Sequence, residues 1–128
     1  MVVTEAFLEA AKRYARGGYD VIVDGIIGPW FLMSWIKTAQ EGYEMHYIVL
    51  RAGRKETMKR AVERSKPDRE TNLELVDVMW EQFHELGEYE SHVIDTTDCS
   101  IDRTVLRIME MIEQKTCLLV PSEGAKAD

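Results

Sequence analysis

Apolar residues follow two spacings along the chain, and the change between them marks the predicted helices and strands. A spacing of three or four residues, which is typical of amphipathic helices, runs through residues 3–16 and returns after Pro29. Proline is tolerated in a first helical turn, so Pro29 suits the start of that second helix. Further helices are predicted over three stretches: 55–65, 73–87 and 101–112.

Three short runs are predicted to be strands, and the first of them is apolar without alternation, which is typical of a parallel strand buried on both faces. They are 20–24, 45–50 and 92–96. Strands that alternate with helices predict a three-layer α/β fold, with a parallel sheet and right-handed crossovers between flanking helices. The first predicted helix precedes the first predicted strand. We expect this helix to pack on an incomplete sheet, from which part is missing. We expect one domain over 1–116 and a tail over 117–128 that is disordered after Pro121.

Local signals predict where the helices begin and end. Gly17-Gly18 should end the first helix, as glycine does after a last turn. The stretch from Thr71 to Glu74 matches a capping box, and Ser100 should cap the last helix. Helical spacing assigns the inward face of that last helix to four apolar residues: Val105, Ile108, Met109 and Ile112.

Composition and charge exclude several classes of function. Apolar residues make up 45% and charged residues 30% of the 128 positions, which is ordinary for a soluble globular protein. A net charge of −7 without a dense basic run argues against nucleic-acid binding. No apolar run is long enough to span a bilayer, and no signal-peptide layout opens the chain. Cys99 and Cys117 form no metal-binding pattern, so we expect two free thiols and a cytoplasmic protein.

In open α/β sheets the functional site lies beyond the carboxyl ends of the strands. That rule selects Asp24-Gly25, Leu50-Arg51 and the stretch 95–98. Asp24 suits a magnesium ligand or a group that orients an acceptor. It suits equally well a turn or helix-capping carboxylate before a glycine, and both interpretations stay open.

Four arginines follow the second predicted strand. Arg51 ends the strand and Arg54 lies in the turn, while Arg60 and Arg64 lie one helical turn apart on a common face. Guanidinium groups suit phosphoryl transfer because they stabilise charge where it develops. The alternative is a solvated basic helix face that contributes little to stability.

Polar residues after the third predicted strand form the last candidate group. Thr96, Thr97 and Asp98 could line a purine pocket, but they are also common turn residues. The three histidines show no ligand spacing.

Taken together, these segments resemble the small-molecule kinase branch of the P-loop phosphotransferases, which includes shikimate kinase, gluconate kinase, chloramphenicol phosphotransferase and AAA-domain ATPases. Residues 20–25, Asp-Val-Ile-Val-Asp-Gly, are similar to a Walker B strand. Residues 48–51 followed by 58–64 resemble the strand and lid of the family, with an Arg-x-x-x-Arg pair. Residues 82–96 resemble the approach to its last strand.

The resemblance implies ATP and Mg²⁺ as cofactors and phosphoryl transfer to a hydroxyl of a small-molecule acceptor. Asp24 would then be a catalytic residue and metal ligand, and Arg60 and Arg64 would meet the phosphates. Arg51, Thr97 and Asp98 would contribute to nucleotide binding.

No Gly-x-x-x-x-Gly-Lys-Ser/Thr loop occurs in the chain, and the family's first strand has no counterpart. We therefore expect the C-terminal portion of such a kinase, with weak ATP binding and little activity of its own. The alternative is a non-catalytic interaction module or degenerate paralogue on a P-loop-like scaffold. Its uncovered sheet edge would be closed by a partner or by self-association.

Overall fold

A computed structural model describes residues 2–67 and 70–120, and these divide into two compact units. The first unit contains residues 2–46 and 118–120, and the second contains the described residues between 47 and 117.

The first unit contains two helices and a long stretch without regular secondary structure between them. Helix α1 spans Val2–Arg16, a short 3₁₀ helix spans Pro29–Phe31, and α2 spans Met33–Gln40. As predicted, α1 ends at the two glycines, where Gly18 has a φ of +91°, a conformation that favours glycine. Lys12 on α1 forms an ion pair with Glu41 just beyond α2, with 3.2 Å between Nζ and Oε1.

A short antiparallel contact joins the two chain segments of the first unit. His46 and Leu118 form an isolated bridge, and the Leu119 amide donates to the Met45 carbonyl at 2.9 Å. The predicted tail over 117–128 therefore begins with residues that pair and pack, since Cys117 is also fully buried. The part of that tail predicted to be disordered, residues 121–128, lies outside the described residues.

The second unit is built around two parallel strands. Strand β1 spans Val49–Arg51 and β2 spans Val93–Asp95, in the register Val49 to Val93. Between them the chain forms α3 over Arg54–Arg64, α4 over Leu73–Phe83 and a 3₁₀ helix over Gly87–His92. Helix α5 spans Ile101–Gln114 and follows β2. Mixed α/β structure with a parallel strand pair is thus confirmed.

The predicted strand over 20–24 is wrong. These residues form no strand, and Ile22 is 93% exposed. An apolar run becomes a strand only where a neighbour supplies backbone hydrogen bonds, and no residue within 2–67 or 70–120 bonds to the backbone of 20–24. The described sheet therefore has two strands instead of the three predicted, and 45–50 contributes only its last two residues to β1.

Two finer predictions about helices also need correction. Asn72, not Thr71, caps α4, because its side-chain oxygen accepts the Leu75 amide at 3.1 Å. On α5 the Ser100 cap is confirmed, but the inward face is not the one predicted. Met111 is 4% exposed and packs with a cluster of apolar residues: Ile48, Ile94, Ile108 and Cys117. Of the four residues predicted to face inward, only Ile108 belongs to this cluster.

Candidate functional site

The carboxyl ends of β1 and β2 bring together most of the predicted site residues. Arg51 ends β1 opposite Asp95, which ends β2. The Thr96 amide donates to the Arg51 carbonyl at 2.9 Å, which extends the ladder into the turn that holds Thr96, Thr97 and Asp98. Helix α3 begins three residues after β1, so its first turns lie beside this edge.

Arg51 forms a bidentate ion pair with Glu90. Its Nη1 and Nη2 donate to the two carboxylate oxygens at 2.7 and 2.9 Å, and Nη1 also donates to the Phe83 carbonyl at 2.9 Å. The Leu86 amide adds a third donor to Glu90 at 2.8 Å. These bonds lower the pKa of Glu90 to about 2, chiefly through Arg51, and raise the pKa of Arg51. Arg51 therefore anchors the segment before β2.

Thr97 connects the turn after β2 to the start of α3. Its hydroxyl oxygen accepts the Gly53 amide at 2.8 Å, and its amide donates to the Asp95 carboxylate at 2.9 Å. The hydroxyl of Thr97 also donates to Asp95, and both bonds lower the pKa of that carboxyl. Thr97 thus fixes the geometry of this edge, and Asp98 next to it is exposed.

Arg60 reaches from α3 to the same turn. Its Nη2 donates to the Thr96 carbonyl at 2.7 Å and its Nη1 to the Thr96 hydroxyl at 3.1 Å. Its Nε donates to Glu56 at 2.9 Å, one helical turn earlier. Arg64 lies one turn further along α3 and is exposed, and no residue within the described ranges pairs with its guanidinium. Of the two predicted arginines, Arg60 therefore contacts the turn after β2, whereas Arg64 has no partner among the described residues.

Arg54 belongs to a separate network between α3 and α4. It donates to Asp77 at 2.7 Å and to Glu81 at 3.2 Å, and its guanidinium lies 5.8 Å from the centre of the Trp80 ring. The Trp80 indole donates to the Ala52 carbonyl at 2.9 Å. This network holds the two helices together.

Sequence reasoning missed the acidic partners of the arginines. The pairing of Glu56 with Arg60 has a local signal, because residues four apart lie on one helix face. The pairs that Arg51 forms with Glu90 and Arg54 forms with Asp77 are separated by 39 and 23 positions, and no local pattern predicts them.

Asp24 lies in the first unit, where it is exposed. It lines an open groove of about 730 Å³ between α1, the irregular segment and the start of α2. The groove is lined mainly by apolar side chains, and among the described residues that line it Asp24 and Tyr14 are the ionisable ones. One carboxylate supplies one ligand, and no group of three or more acidic, histidine or cysteine side chains that could hold a metal ion occurs in the described part of the chain. A magnesium ion at Asp24 would need its remaining ligands from phosphates and water.

Comparisons with known proteins add no family to this picture. No family model matches the chain, and neither curated proteins nor solved structures show a significant match. Within the described residues, no helix has the length and apolar character needed to cross a membrane.

Proposed function

We propose that the carboxyl-end edge of β1 and β2 binds phosphate groups, as the nucleotide-facing part of an ATP-dependent small-molecule kinase of which this chain is the C-terminal portion. The observation that carries this proposal is the contact between Arg60 and Thr96. It holds a helix arginine against the turn after the last strand, so residues that the resemblance assigns to the phosphates and to the adenine lie at one edge. Nothing in the comparisons bears on the proposal.

In this proposal Arg60 and Arg64 stabilise charge on the transferred phosphoryl group, and Thr97 and Asp98 lie beside the adenine. Arg51 stabilises the segment before β2 through its ion pair with Glu90. Asp24 belongs to the first unit, so its predicted role with Mg²⁺ or the acceptor stays a prediction and is not part of this site. Because the chain contains no phosphate loop, several charge-assisted contacts to the nucleotide are absent, each worth about 1.5–3 kcal/mol. We expect dissociation constants for ATP near or above about 1 mM.

A chemical-shift titration of the ¹⁵N-labelled chain with magnesium-ATP tests this proposal. We expect the amide signals of Thr96, Thr97 and Asp98 to move together and to saturate weakly. Arg60→Ala and Arg64→Ala should each weaken the titration. Lys59→Ala is the matched control, because it removes the same charge from an exposed position on α3. Equal losses in all three variants would show general charge attraction instead of a phosphate site.

A substitution at Glu56 tests the role of Arg60 more specifically. The Glu56 carboxylate competes with any phosphate for Arg60, since it accepts from Nε at 2.9 Å. Glu56→Gln removes that competing charge and should strengthen binding of inorganic tripolyphosphate two- to fivefold, if a partly exposed ion pair of about 0.5–1 kcal/mol is relieved. Unchanged or weaker binding would contradict the role of Arg60.

A second candidate function is a non-catalytic binding module, and the open apolar groove of the first unit favours it. Exposed apolar grooves of this kind mark interaction sites in soluble proteins. The two candidates use different units, so an experiment on one does not decide the other.

A further inference from the structure

The irregular segment 20–24 combines two features that a folded protein rarely leaves exposed together. Its centre is three β-branched apolar residues, and its backbone receives no hydrogen bond from any residue within 2–67 or 70–120. Val21 and Val23 are 41% and 42% exposed, while Ile22 between them is 93% exposed. Period-two exposure is what a strand gives when alternate side chains face one side. The segment therefore has the pattern of a strand without a neighbour.

The groove beside this segment supplies a surface for the side chains of a neighbour. Phe7 and Tyr14 on α1 and Trp30 and Phe31 beyond the segment line it, and each is at least half exposed. An incoming helix could cover these rings. A helix bonds its own backbone, however, and would leave the backbone of 20–24, which no described residue pairs, without hydrogen bonds. An incoming strand satisfies both the backbone and the apolar surface.

Charge indicates the chemistry of that strand. Asp20 and Asp24 are exposed at the two ends of the apolar triplet, and none of the described residues that line the groove is basic. A strand with an apolar centre and basic residues at its ends would pair its charges with both carboxylates. Opposite charges across a strand pair are stabilising, and like charges directly opposite are destabilising.

A second copy of this chain fits less well, for the same reason. The segment Asp-Val-Ile-Val-Asp reads identically in both directions. In-register pairing with a copy of itself, parallel or antiparallel about Ile22, therefore sets carboxylate against carboxylate at both ends. Two chains of net charge −7 also repel each other at longer range.

We propose that residues 20–24 form a docking edge for an extended segment of another polypeptide, whose alternating apolar residues are flanked by lysine or arginine. This inference rests on the binding-module candidate and is independent of phosphate binding in the second unit. The partner adds a strand along 20–24, and its flanking cations lie beside Asp20 and Asp24.

The test uses the full chain and two labelled peptides, Ser-Lys-Val-Thr-Val-Lys-Ser and the same sequence with glutamate in place of lysine. Fluorescence polarisation should show that the lysine peptide binds at least tenfold more tightly than the glutamate peptide. The double variant Asp20→Lys with Asp24→Lys should reverse this preference. Glu113→Lys, an exposed charge change on α5, should leave it unchanged.

Backbone pairing has its own readout. Neighbouring amides of a strand point to opposite edges, so either Val21→Pro or Ile22→Pro removes an amide donor that faces the partner. At least one of these two variants should weaken peptide binding fivefold or more without loss of the folded circular-dichroism spectrum. Hydrogen exchange should show new protection of the amides in 20–24 when the lysine peptide binds.

Three results would each overturn the proposal. One is equal binding of both peptides or of neither. Another is full binding by both Val21→Pro and Ile22→Pro. The third is a chain that sediments as a dimer with amides 20–24 already protected, which would identify a second copy as the occupant. None of these results would bear on the phosphate titration, whose signals come from the other unit.

Discussion

Replacing Arg60 by alanine should destabilise the protein, whereas replacing Arg64 should not. The two residues look equivalent in the sequence, but only Arg60 donates to Thr96, through bonds of 2.7 and 3.1 Å. Thr96 is buried, so the loss of Arg60 also leaves its carbonyl and hydroxyl short of a partner. The difference between the two variants therefore measures whether the contact at the edge of the sheet is formed.

The magnitude follows from the number of bonds and their exposure. A hydrogen bond from a charged donor contributes about 1.5–3 kcal/mol when well shielded. The Arg60 side chain is 39% exposed, so water competes for the guanidinium and the contribution is smaller. We expect Arg60→Ala to lower the free energy of unfolding by about 1–2 kcal/mol. For a chain of this size that corresponds to a fall in Tm of roughly 3–8 °C.

Urea unfolding followed by circular dichroism measures these differences. Arg64→Ala and the control Lys59→Ala should each stay within about 0.5 kcal/mol of the wild type. Arg60→Lys should recover less than half of the loss, because a single ammonium cannot reach the Thr96 carbonyl, the Thr96 hydroxyl and Glu56 together. Equal stabilities for Arg60→Ala and Arg64→Ala would refute the contact, and the solvated basic face would then be the correct interpretation of both residues.

Three further predictions test other parts of the structure. The pKa of Glu90 falls from 4.5 to about 2 on folding, so its contribution to stability is present above about pH 4.5 and is lost towards pH 2. Glu90→Gln should remove that part of the pH dependence, which urea unfolding midpoints measured between pH 6 and pH 2.5 would show. Met111→Ala should lower the free energy of unfolding in urea by about 2–4 kcal/mol, and Met109→Ala, whose side chain is 59% exposed, by less than about 1 kcal/mol. Equal losses would support the face of α5 that the sequence predicted. Asn72→Ala should lower the thermal midpoint through about 1 kcal/mol of lost capping, whereas Thr71→Ala should not.

Helices were predictable because their signals are local. The apolar spacing of α1, the glycines that end it and the Ser100 cap of α5 all act within one or two turns. The order of α3, α4 and β2 follows from the same signals. The face of α5 was less predictable, because which side of an apolar helix is buried depends on what packs against it. There the side chains of Ile94 and Cys117 select Met111.

The segment 20–24 shows why strands are harder to predict. Its composition is that of a buried strand, but a strand requires backbone partners that lie elsewhere in the chain. None of the described residues provides them, and the same apolar run becomes an exposed edge. A local pattern gives the tendency of a segment and cannot give its neighbours.

The candidate site was predictable in position but not in detail. The rule for carboxyl ends of parallel strands selected Arg51 and the turn after β2, and the register of the two strands shows that they lie side by side. It could not show that Glu90 holds Arg51 or that Thr97 reaches Gly53, because these contacts span about forty positions. Asp24 was selected by the same rule on the basis of a strand that does not form.

The Arg60 side-chain Nε–Hε signal gives the most direct test of the proposed phosphate site. Nε donates to Glu56 at 2.9 Å, and a phosphate bound to the Arg60 guanidinium would change the electrostatic surroundings of this N–H group. In a titration of the ¹⁵N-labelled chain with inorganic tripolyphosphate, we expect this signal to shift and saturate in step with the Thr96 and Thr97 amides. Tripolyphosphate at tens of millimolar exceeds the dissociation constant of about 1 mM expected for this edge. If the Arg60 signal does not move at that concentration, the account is contradicted.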